Sequence, residues 1–466
     1  MNLSALDSLA VFAYFGLMAW LGYITRRTKT FSEFAVGGHS IPTIIIFASL
    51  AATIVGPGFS IGVTSRSWGM GFAFYYLAVA FAAQTLSTGL FFGPKLTEQR
   101  DCNTLGDVMR KRYGLFTQML TGIVSVGVCI GFTAVMGKIG GSTLHGITGW
   151  PLELCLVIVT GTTALLTFTG GLRATVATEG VQFSMKAIIV PVMLLLAVAA
   201  SHTSLTDLAA KAANLTRLSF ASMSGWQITG IASSFALGEV LIPPYANRAL
   251  AAKTVAASRT GFLLAGGFII VWLAIVAALG IVGHSVVPAT TNPDDVFVAI
   301  GRAVLPVGIF GILLAAVVAI VMSSQESVLN SGAVALVRDI IAVVSPIDEK
   351  TALVFARAGT IAIAIVAILS AQFAPSIIDG LLLVYAIWAP TMIVSLLAAL
   401  YLKTTKPLAS WLSMLGGAGA SLGWQFAEPK SELPAILVGM AASMALYALG
   451  HAVGTPYRAA ATQRPE

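Results

Sequence analysis

The chain has 466 residues, of which 57% are hydrophobic and only 10% are charged, and its formal net charge is +7. Soluble proteins carry about 25% charged residues. The composition therefore excludes a soluble globular domain and indicates that lipid surrounds most of the chain. Its basic residues are scattered between apolar runs, which is typical of membrane orientation signals and argues against a nucleic-acid surface.

Thirteen apolar runs are long enough to cross a bilayer, which takes about 20 helical residues. The first run has no basic residue before it and no small-residue cleavage site after it, so we expect it to be retained. We place the runs near 5–25, 42–65, 71–93, 115–143, 151–170, 176–200, 225–244, 259–283, 305–330, 352–373, 378–402, 407–426 and 434–452.

The distribution of Lys and Arg predicts the orientation of the chain. With the N-terminus outside, nineteen of these residues lie inside and five lie outside, as the positive-inside rule requires. An odd number of spans then puts the C-terminus in the cytoplasm, so we expect an integral plasma-membrane protein of bacterial type. The outside set is Arg66, Lys211, Arg217, Arg302 and Lys430. The inside set is Arg26, Arg27, Lys29, Lys95, Arg100, Arg110, Lys111, Arg112, Arg173, Arg248, Lys253, Arg259, Arg338, Lys350, Arg357, Lys403, Lys406, Arg458 and Arg464.

The second apolar run contains Gly56-Pro57-Gly58 at its centre. Proline removes a backbone donor and glycine loosens the helix, so this run is predicted to break inside the membrane. Non-helical backbone survives at that depth only where it is buried in protein or lines a watery cavity. The alternative is a plain proline kink in a structural helix, because transmembrane helices tolerate Pro and Gly.

Ten of the runs divide into two sets of five, 42–200 and 225–402, and the second set carries Pro243-Pro244 in its first run. A five-helix unit that is repeated once returns with inverted topology, and transporters built this way have their sites where the first helix of each half is broken. We therefore predict an all-α polytopic fold with an extra helix at 1–30, a first repeat at 31–204, an inverted repeat at 205–404, and two extra helices with a short tail at 405–466.

Five segments together resemble the sodium/solute symporter family, which includes the sodium–glucose, proline, pantothenate and sialic acid symporters. The resemblance covers roughly residues 30–400 and keeps the family's order and spacing. It implies a LeuT-like core of ten helices in an inverted repeat, with broken first and sixth core helices. The segments are FAVGGHSIP, SLAATIVGPGFSIG, GGLRATVATEGVQ, PPYANRALAAK and MSSQESVLNSGAVALVRDI.

The same resemblance implies a sodium site between the first and eighth core helices. A buried sodium ion needs several oxygen ligands, because burying a bare charge is otherwise prohibitive. The implied ligands are the carbonyls of Ala52, Val55 and Ile320 and the hydroxyls of Ser323 and Ser324. As an alternative, the two serines would only bond back to carbonyls of their own helix.

Glu179 and Glu326 are carboxylates within apolar runs, and such residues are functional candidates by default. By resemblance, relatives usually carry Asp at the first position and, where a second cation site exists, a hydroxyl at the second. The two glutamates could form such a site with Ser323 and Ser327. Two close carboxylates could hold a proton instead, and a structural ion pair is the third interpretation.

Lys186 lies seven residues after Glu179, on the same helical face and well inside the membrane. The family's usual residue at this position is uncharged, so the lysine ammonium could stand where sodium would bind. A buried lysine can also carry a proton. The alternative is a structural lysine that is paired with Glu179 or Glu326.

The candidates for solute binding flank the two breaks or lie on the third and tenth core helices. Sugar-binding members have amides and acids where this chain has Gly58, Phe59 and Ala78, which argues against a sugar. Lys138 could meet a carboxylate, or it could snorkel to the membrane interface. The candidates are Thr53, Gly56, Phe59, Lys138, Ser233, Ser234, Glu239, Tyr385 and Trp388.

We therefore predict sodium-coupled symport of a small organic solute, such as a carboxylate or an amino-acid-like compound, by alternating access. A proton-coupled or sodium-independent transporter that uses Lys186, Glu179 and Glu326 is the first alternative, and a transporter-like sensor with a partner protein is the second. The sequence has no P-loop, HExxH, nucleophile elbow or dinucleotide fingerprint, so an enzyme is not expected. The expected partners are the lipid bilayer and the solute, and the oligomeric state is not predicted.

Overall fold

A computed structural model describes residues 3–25, 28–373, 377–427 and 432–457 of the chain. Within these ranges the regular structure is helical, which confirms the expected all-α fold. Large apolar side chains on the long helices are more than half exposed, as lipid-facing residues would be; examples are Leu9, Ile188 and Leu195. Five basic residues of the charge count lie outside the described residues: Arg26, Arg27, Lys430, Arg458 and Arg464.

The helices before residue 204 alternate short pieces with long apolar ones. They are α1 (Ala5–Thr25), α2 (Phe31–Val36), α3 (Thr43–Ile54), α4 (Val63–Met70), α5 (Ala73–Ala78), α6 (Ala80–Ser87), α7 (Gly93–Thr97), α8 (Leu105–Tyr113), α9 (Leu115–Thr148) and α10 (Leu152–Ala200). Single 3₁₀ or π turns adjoin them at Gly37–His39, Gly58–Gly62 and Thr88–Phe92.

The helices after residue 204 follow the same plan. They are α11 (Leu205–Ser222), α12 (Gly225–Leu237), α13 (Pro243–Ala251), α14 (Val255–Val286), α15 (Val296–Val304), α16 (Ile309–Ala335), α17 (Ala342–Val344), α18 (Glu349–Ser370), α19 (Ile377–Tyr401), α20 (Pro407–Phe426) and α21 (Ala435–Val453). Short 3₁₀ or π turns lie at Pro293–Asp295, Leu336–Ile341 and Ala371–Phe373.

In the described part of the chain, nine helical stretches are long and apolar enough to cross a bilayer, and the bent pair of α3 with Gly58–Met70 makes a tenth. The 49-residue α10 contains two of the thirteen predicted spans, because a kink separates them. The predicted spans 225–244 and 407–426 correspond to α12 with α13 and to α20, which do not meet that test of length and apolarity. All thirteen predicted runs nevertheless consist of helical segments, and two of them contain a break.

The first broken helix is interrupted at Val55 and Gly56, and its two halves are bent by 62°. Val55 leaves helical geometry with a ψ of 47°. Pro57 has no N–H to donate to the Thr53 carbonyl four residues earlier. That carbonyl instead accepts a hydrogen bond from Ser324 Oγ at 2.8 Å. The predicted break is therefore confirmed.

The second broken helix is interrupted between α12 and α13, over residues 238–242. Leu241 has a φ of 52°, a conformation that non-glycine residues seldom adopt. Trp388 Nε1 donates to the Val240 carbonyl at 2.9 Å, and both Leu241 and Trp388 are fully buried. Pro243 starts α13 at a position where a missing N–H costs nothing. Tertiary packing therefore fixes this break.

Contacts between the two broken helices close one end of the bundle. Ile41, just before α3, forms a parallel bridge with Ala252, just after α13. The Ile41 N–H donates to the Ala251 carbonyl at 3.0 Å, and the Lys253 N–H donates to the Ile41 carbonyl at 2.8 Å. Arg100 Nη1 donates to the Ala252 carbonyl at 2.8 Å. The start of one broken helix is thus tied to the end of the other.

The opposite end of the first broken helix is held by polar side chains. Arg66 of α4 pairs with Asp379 of α19 at 3.1 Å, and both side chains are substantially exposed. Ser65 donates to Asp294 at 3.0 Å. Exposed ion pairs contribute only about 0–1 kcal/mol, so this end is held weakly.

A kink at Gly171 directs the second part of α10 into the bundle. The residue has a φ of 56° and a ψ of −143°, outside the helical region. A Cβ at this position would lie 2.5 Å from a ring carbon and 2.6 Å from the carbonyl oxygen of Phe34. Only glycine satisfies both constraints. The kink therefore sets the direction of the segment that carries Glu179 and Lys186.

We predict that Gly171→Ala destabilises the protein by about 1–3 kcal/mol, the usual cost of a strained backbone conformation, with the Phe34 clash in addition. The matched control is Gly180→Ala on the same helix, where a Cβ meets no atom within 4 Å. That change should be neutral or stabilising by up to about 1 kcal/mol. Thermal unfolding of the purified variants measures both effects, and equal melting temperatures would contradict the prediction.

Candidate functional site

The two broken helices meet α16 at the centre of the bundle. The α16 side chains that face them, Ser323, Ser324 and Ser327, are fully buried, and so is most of the helix. Polar groups at this depth need partners within the protein, because no water is present to replace them. Their hydrogen bonds therefore determine what the site can bind.

The ammonium of Lys186 lies among the oxygens that were predicted to bind sodium. Its Nζ donates to the Ala52 carbonyl at 2.7 Å and to Ser323 Oγ at 2.9 Å, and the Val55 carbonyl is 3.5 Å away. Lys186 is fully buried. These three oxygens are predicted ligands, so the lysine charge occupies the position that was assigned to the ion.

The alternative interpretation, a lysine paired with Glu179 or Glu326, is not seen as a direct contact in the described part of the chain. The ion pair of Glu179 is made with Arg248, and no ion pair joins Lys186 to a carboxylate in the described part of the chain. Carbonyl and hydroxyl oxygens accept the hydrogen bonds of the ammonium. This environment is suited to a monovalent cation rather than to a salt bridge.

The remaining predicted ligands lie beside the lysine. Ser324 Oγ donates to the Thr53 carbonyl, and the Ile320 carbonyl accepts from Ser323 Oγ at 3.2 Å and lies 3.5 Å from Ser324 Oγ. Ser323 Oγ also donates to the Ala52 carbonyl at 3.0 Å. Both serines therefore bond across to α3 as well as back to α16. The structure brings all five predicted oxygens to one place.

Glu179 and Arg248 form a fully buried ion pair beside this place. Arg248 Nη2 lies 2.9 Å and 3.2 Å from the two carboxylate oxygens. The carboxylate also accepts hydrogen bonds from Thr53 Oγ1 at 3.0 Å and from the hydroxyls of Ser49 and Ser327. Arg248 Nε donates to Ser49 Oγ at 3.0 Å. The pair thus connects α10 and α13 with α3 and α16.

Arg248 is the main functional residue that sequence reasoning missed. The charge count placed it among the cytoplasmic residues, but it lies within α13 and is fully buried. Its planar guanidinium suits bidentate binding of a carboxylate. The available signal was its position: it follows Pro243-Pro244 by four residues in the second broken helix, where a charge has a functional role by default.

Glu326 lies in a separate polar cluster on another face of α16. It accepts hydrogen bonds from Thr178 Oγ1 and from Gln182 Nε2, the latter at 3.2 Å. Gln182 Nε2 also donates to Tyr14 OH at 3.1 Å. The predicted second cation site therefore does not assemble as proposed: Ser323 contacts Lys186, Glu179 and Ser327 contact Arg248, and Glu326 contacts neither base.

A small cavity of about 20 Å³ lies between the two breaks. That is room for about one water-sized group, so the cavity is nearly closed in this conformation. Four of the nine predicted solute residues line it: Thr53, Gly56, Phe59 and Glu239. The complete lining is Thr53, Ile54, Gly56, Pro57, Gly58, Phe59, Phe132, Met136, Glu239, Ile242, Pro244, Tyr245, Val328 and Leu381.

The other predicted solute residues lie outside the cavity lining. Tyr385 OH donates to Glu239 Oε1 at 2.5 Å and so positions that carboxylate, while Trp388 stabilises the second break. Ser233 Oγ donates to a carbonyl of its own helix, and the Ser234 carbonyl accepts from the Gly238 N–H. Lys138 is half-buried on α9 and is not among the lining residues, so it supplies no basic group there.

Sequence comparisons with known proteins all indicate the same transporter family. The model of the sodium:solute symporter family matches residues 34–417. The chain is 26% identical over 428 residues to the sodium/pantothenate symporter of Escherichia coli K12, which covers 89% of this chain and 84% of that protein. It is 24% identical over 448 residues to the high-affinity proline transporter PutP of Bacillus subtilis 168, which covers 92% and 94% respectively.

Solved transporters share the fold. A Na⁺-coupled sialic acid symporter in a substrate-bound outward-open state superposes with a TM-score of 0.85 at 16% identity, covering 98% of this chain and all of that one. Mhp1, a nucleobase-cation-symport-1 family transporter, gives a TM-score of 0.60 at 14% identity, covering 90% and 94%. The predicted LeuT-like architecture is confirmed.

We predict that Arg248→Met destabilises the protein by about 3–5 kcal/mol, because it leaves the Glu179 carboxylate buried without a counterion. The double variant Arg248→Met/Glu179→Gln should recover part of this loss, since neither charge remains. Arg66→Met, which removes one partner of the exposed pair with Asp379, should cost at most about 1 kcal/mol. Thermal unfolding ranks the three variants, and Arg248→Met no worse than Arg66→Met would contradict the prediction.

Proposed function

The chain belongs to the sodium:solute symporter family, and we propose that its coupling ion binds between the first helix break and Ser323 and Ser324 of α16. The protein is a polytopic plasma-membrane transporter, and it performs sodium-coupled symport of a small solute. Members of the family are transporters, so neither an enzyme nor a sensor is required to explain the chain.

One observation carries the assignment of the ion site. Three oxygens from two different helices, those of Ala52, Val55 and Ser323, already surround one buried positive charge. Such a shell is what a cation needs when it leaves water. A cation bound there contacts both α3 and α16, so it stabilises the conformations in which these helices are apposed. Binding of the ion is thereby coupled to the arrangement of the cavity.

We propose alternating access through the two closed ends of the bundle. The Arg66–Asp379 pair would open towards one side, and the contact of Ile41 with residues 251–253 towards the other. Since the first pair is exposed and weak, ion binding needs to supply little free energy to shift its population. The cavity lies between these two ends and would be exposed to each in turn.

We propose that the end carrying the Ile41 contact faces the cytoplasm, which puts the N-terminus outside and the C-terminus inside. Basic residues gather at this end: Arg100 donates to the Lys253 carbonyl at 2.9 Å, and Arg112 donates to the Leu402 carbonyl. Clusters of Lys and Arg mark the cytoplasmic face of membrane proteins.

The position of Lys186 favours a second coupling ion, the proton. Sodium can use the Ala52 and Ser323 oxygens only when the lysine has lost its proton or moved away. Two unit charges 4 Å apart repel by about 4 kcal/mol near a protein surface. Protonation of Lys186 and sodium binding would therefore compete. A lysine that gains and loses its proton in each cycle could also drive transport without sodium.

Replacing Ser323 and Ser324 together with Ala should weaken sodium stimulation of uptake. Each lost buried ligand should cost on the order of 1 kcal/mol, which is about a fivefold loss in sodium affinity. Uptake into proteoliposomes at a series of sodium concentrations measures the effect. Ser184→Ala is the control, because Ser184 is exposed on α10 and bonds only its own helix. Unchanged sodium dependence in the double variant would remove the proposed site.

Lys186→Met tests the competition between sodium and the proton. In the unmodified protein, apparent sodium affinity should improve as pH rises, since deprotonation frees the oxygens that sodium needs. In the variant the affinity should be high at every pH. Lys211→Met, which removes an exposed lysine, should keep the original pH dependence. The same pH slope in Lys186→Met would contradict competition, whereas uptake driven by a pH gradient without sodium, and lost in this variant, would make the proton the coupling ion.

A further inference from the structure

We propose that the transported solute carries a positively charged nitrogen, and that this nitrogen pairs with the carboxylate of Glu239. The inference rests on the proposed function and specifies its substrate class. It concerns the cavity between the two breaks and not the ion site at Lys186.

Glu239 lies in the second break, lines the cavity, and is only 4% exposed. Its two carboxylate oxygens accept hydrogen bonds from Tyr245 OH and Tyr385 OH, each at 2.5 Å. Its backbone N–H donates to Gln84 Oε1 at 3.1 Å, which fixes the main chain. The phenols orient the carboxylate but bring no positive charge. Glu239 is therefore a rigidly held buried carboxyl group, and its ionised form is costly unless a cation pairs with it.

The cavity contains no basic group. Its fourteen lining residues include one carboxylate and no Lys, Arg or His. The two nearby buried bases are already engaged, Arg248 with Glu179 and Lys186 with the oxygens of Ala52 and Ser323. No ion pair joins Glu239 to a base in the described residues. A solute with only a negative charge would thus meet a like charge and no counterion.

The rest of the cavity lining is mostly aromatic and aliphatic. Phe59, Phe132 and Tyr245 contribute aromatic rings, and ring faces attract cations. Phe59 is fixed by Phe81, with ring centroids 4.4 Å apart. Aliphatic side chains such as Leu381 form much of the other surface. In this conformation the cavity of about 20 Å³ has room beside Glu239 for a group the size of an ammonium. The apolar lining would contact the body of a small amine, a quaternary ammonium compound or a zwitterionic amino acid once the bundle opens.

Pairs of isosteric probes that differ in a positive charge test the inference directly. The pairs are choline and 3,3-dimethylbutan-1-ol, glycine betaine and 3,3-dimethylbutanoate, and proline and cyclopentanecarboxylate. Each probe is titrated against the purified protein, and binding is measured as a rise in melting temperature. At least one charged member should bind tenfold or more tightly than its isostere, and Glu239→Gln should remove that preference. Equal binding of both members, or an unchanged preference in Glu239→Gln, would overturn the inference.

A second measurement needs no bound probe. In the ligand-free protein, Glu239→Gln keeps the shape of the side chain and its contacts with the two tyrosines but removes the unpaired charge. Its melting temperature should therefore rise by a few degrees. Glu153→Gln, at an exposed position on α10, should leave the melting temperature unchanged. A lower melting temperature for Glu239→Gln would show that Glu239 is structural, and would overturn the inference even if none of the six probes binds.

Uptake into proteoliposomes separates this inference from the proposed function. Ion-driven uptake of an anionic or uncharged solute through this cavity would overturn the cationic substrate class and leave the transporter intact. Binding of a charged probe that depends on Glu239 without any ion-driven uptake would have the opposite meaning, since it would support the inference and contradict transport.

Discussion

The packing of the first broken helix against α16 depends on carbonyl groups that the break leaves without hydrogen-bond partners in their own helix. Pro57 cannot donate to the Thr53 carbonyl, and the change of direction at Val55 opens the carbonyls of Ala52 and Val55. Within a bilayer no water can satisfy them. Here the hydroxyls of α16, the Ser60 hydroxyl and one ammonium do so. Whatever fills this place therefore holds the broken helix against α16, which couples chemistry at the site to the arrangement of the bundle.

Three buried carboxylates near the breaks have different partners, and this separates their roles. Glu179 has a guanidinium and three hydroxyls, so its charge is matched and its cluster joins four helices. Glu326 has a hydroxyl and an amide. Glu239 has two phenols and faces the cavity. All three are glutamates at buried positions within apolar segments. Only their tertiary contacts therefore distinguish a structural acid from one that can contact a solute.

Local chemistry in the sequence was enough to predict the breaks, because Gly56-Pro57-Gly58 and Pro243-Pro244 cannot continue a helix. The set of oxygens around Lys186 was predicted from family resemblance. Residue spacing alone does not reveal which distant residues lie close together in the fold. The pairing of Glu179 was not predictable in this way. Lys186 shares its helical face, yet the actual partner, Arg248, lies 69 residues away on a short helix whose burial depends on the second break. The positive-inside rule, which applies to loops, therefore assigned Arg248 wrongly to the cytoplasmic side.

The buried charges around the two breaks also determine how sodium, a proton and the proposed cationic solute would act in one mechanism. When all are ionised, Lys186 and Arg248 supply two positive charges, while Glu179, Glu239 and Glu326 supply three negative ones. Excess charge is expensive in an apolar interior. One further cation balances the set, and it can arrive as a solute nitrogen at Glu239 or as a proton on a carboxylate. If Lys186 loses its proton when sodium takes its place, the sum is unchanged. Exchange at the ion site would then be electrically neutral, and the remaining imbalance would lie with Glu239 and Glu326, neither of which forms an ion pair in the described part of the chain.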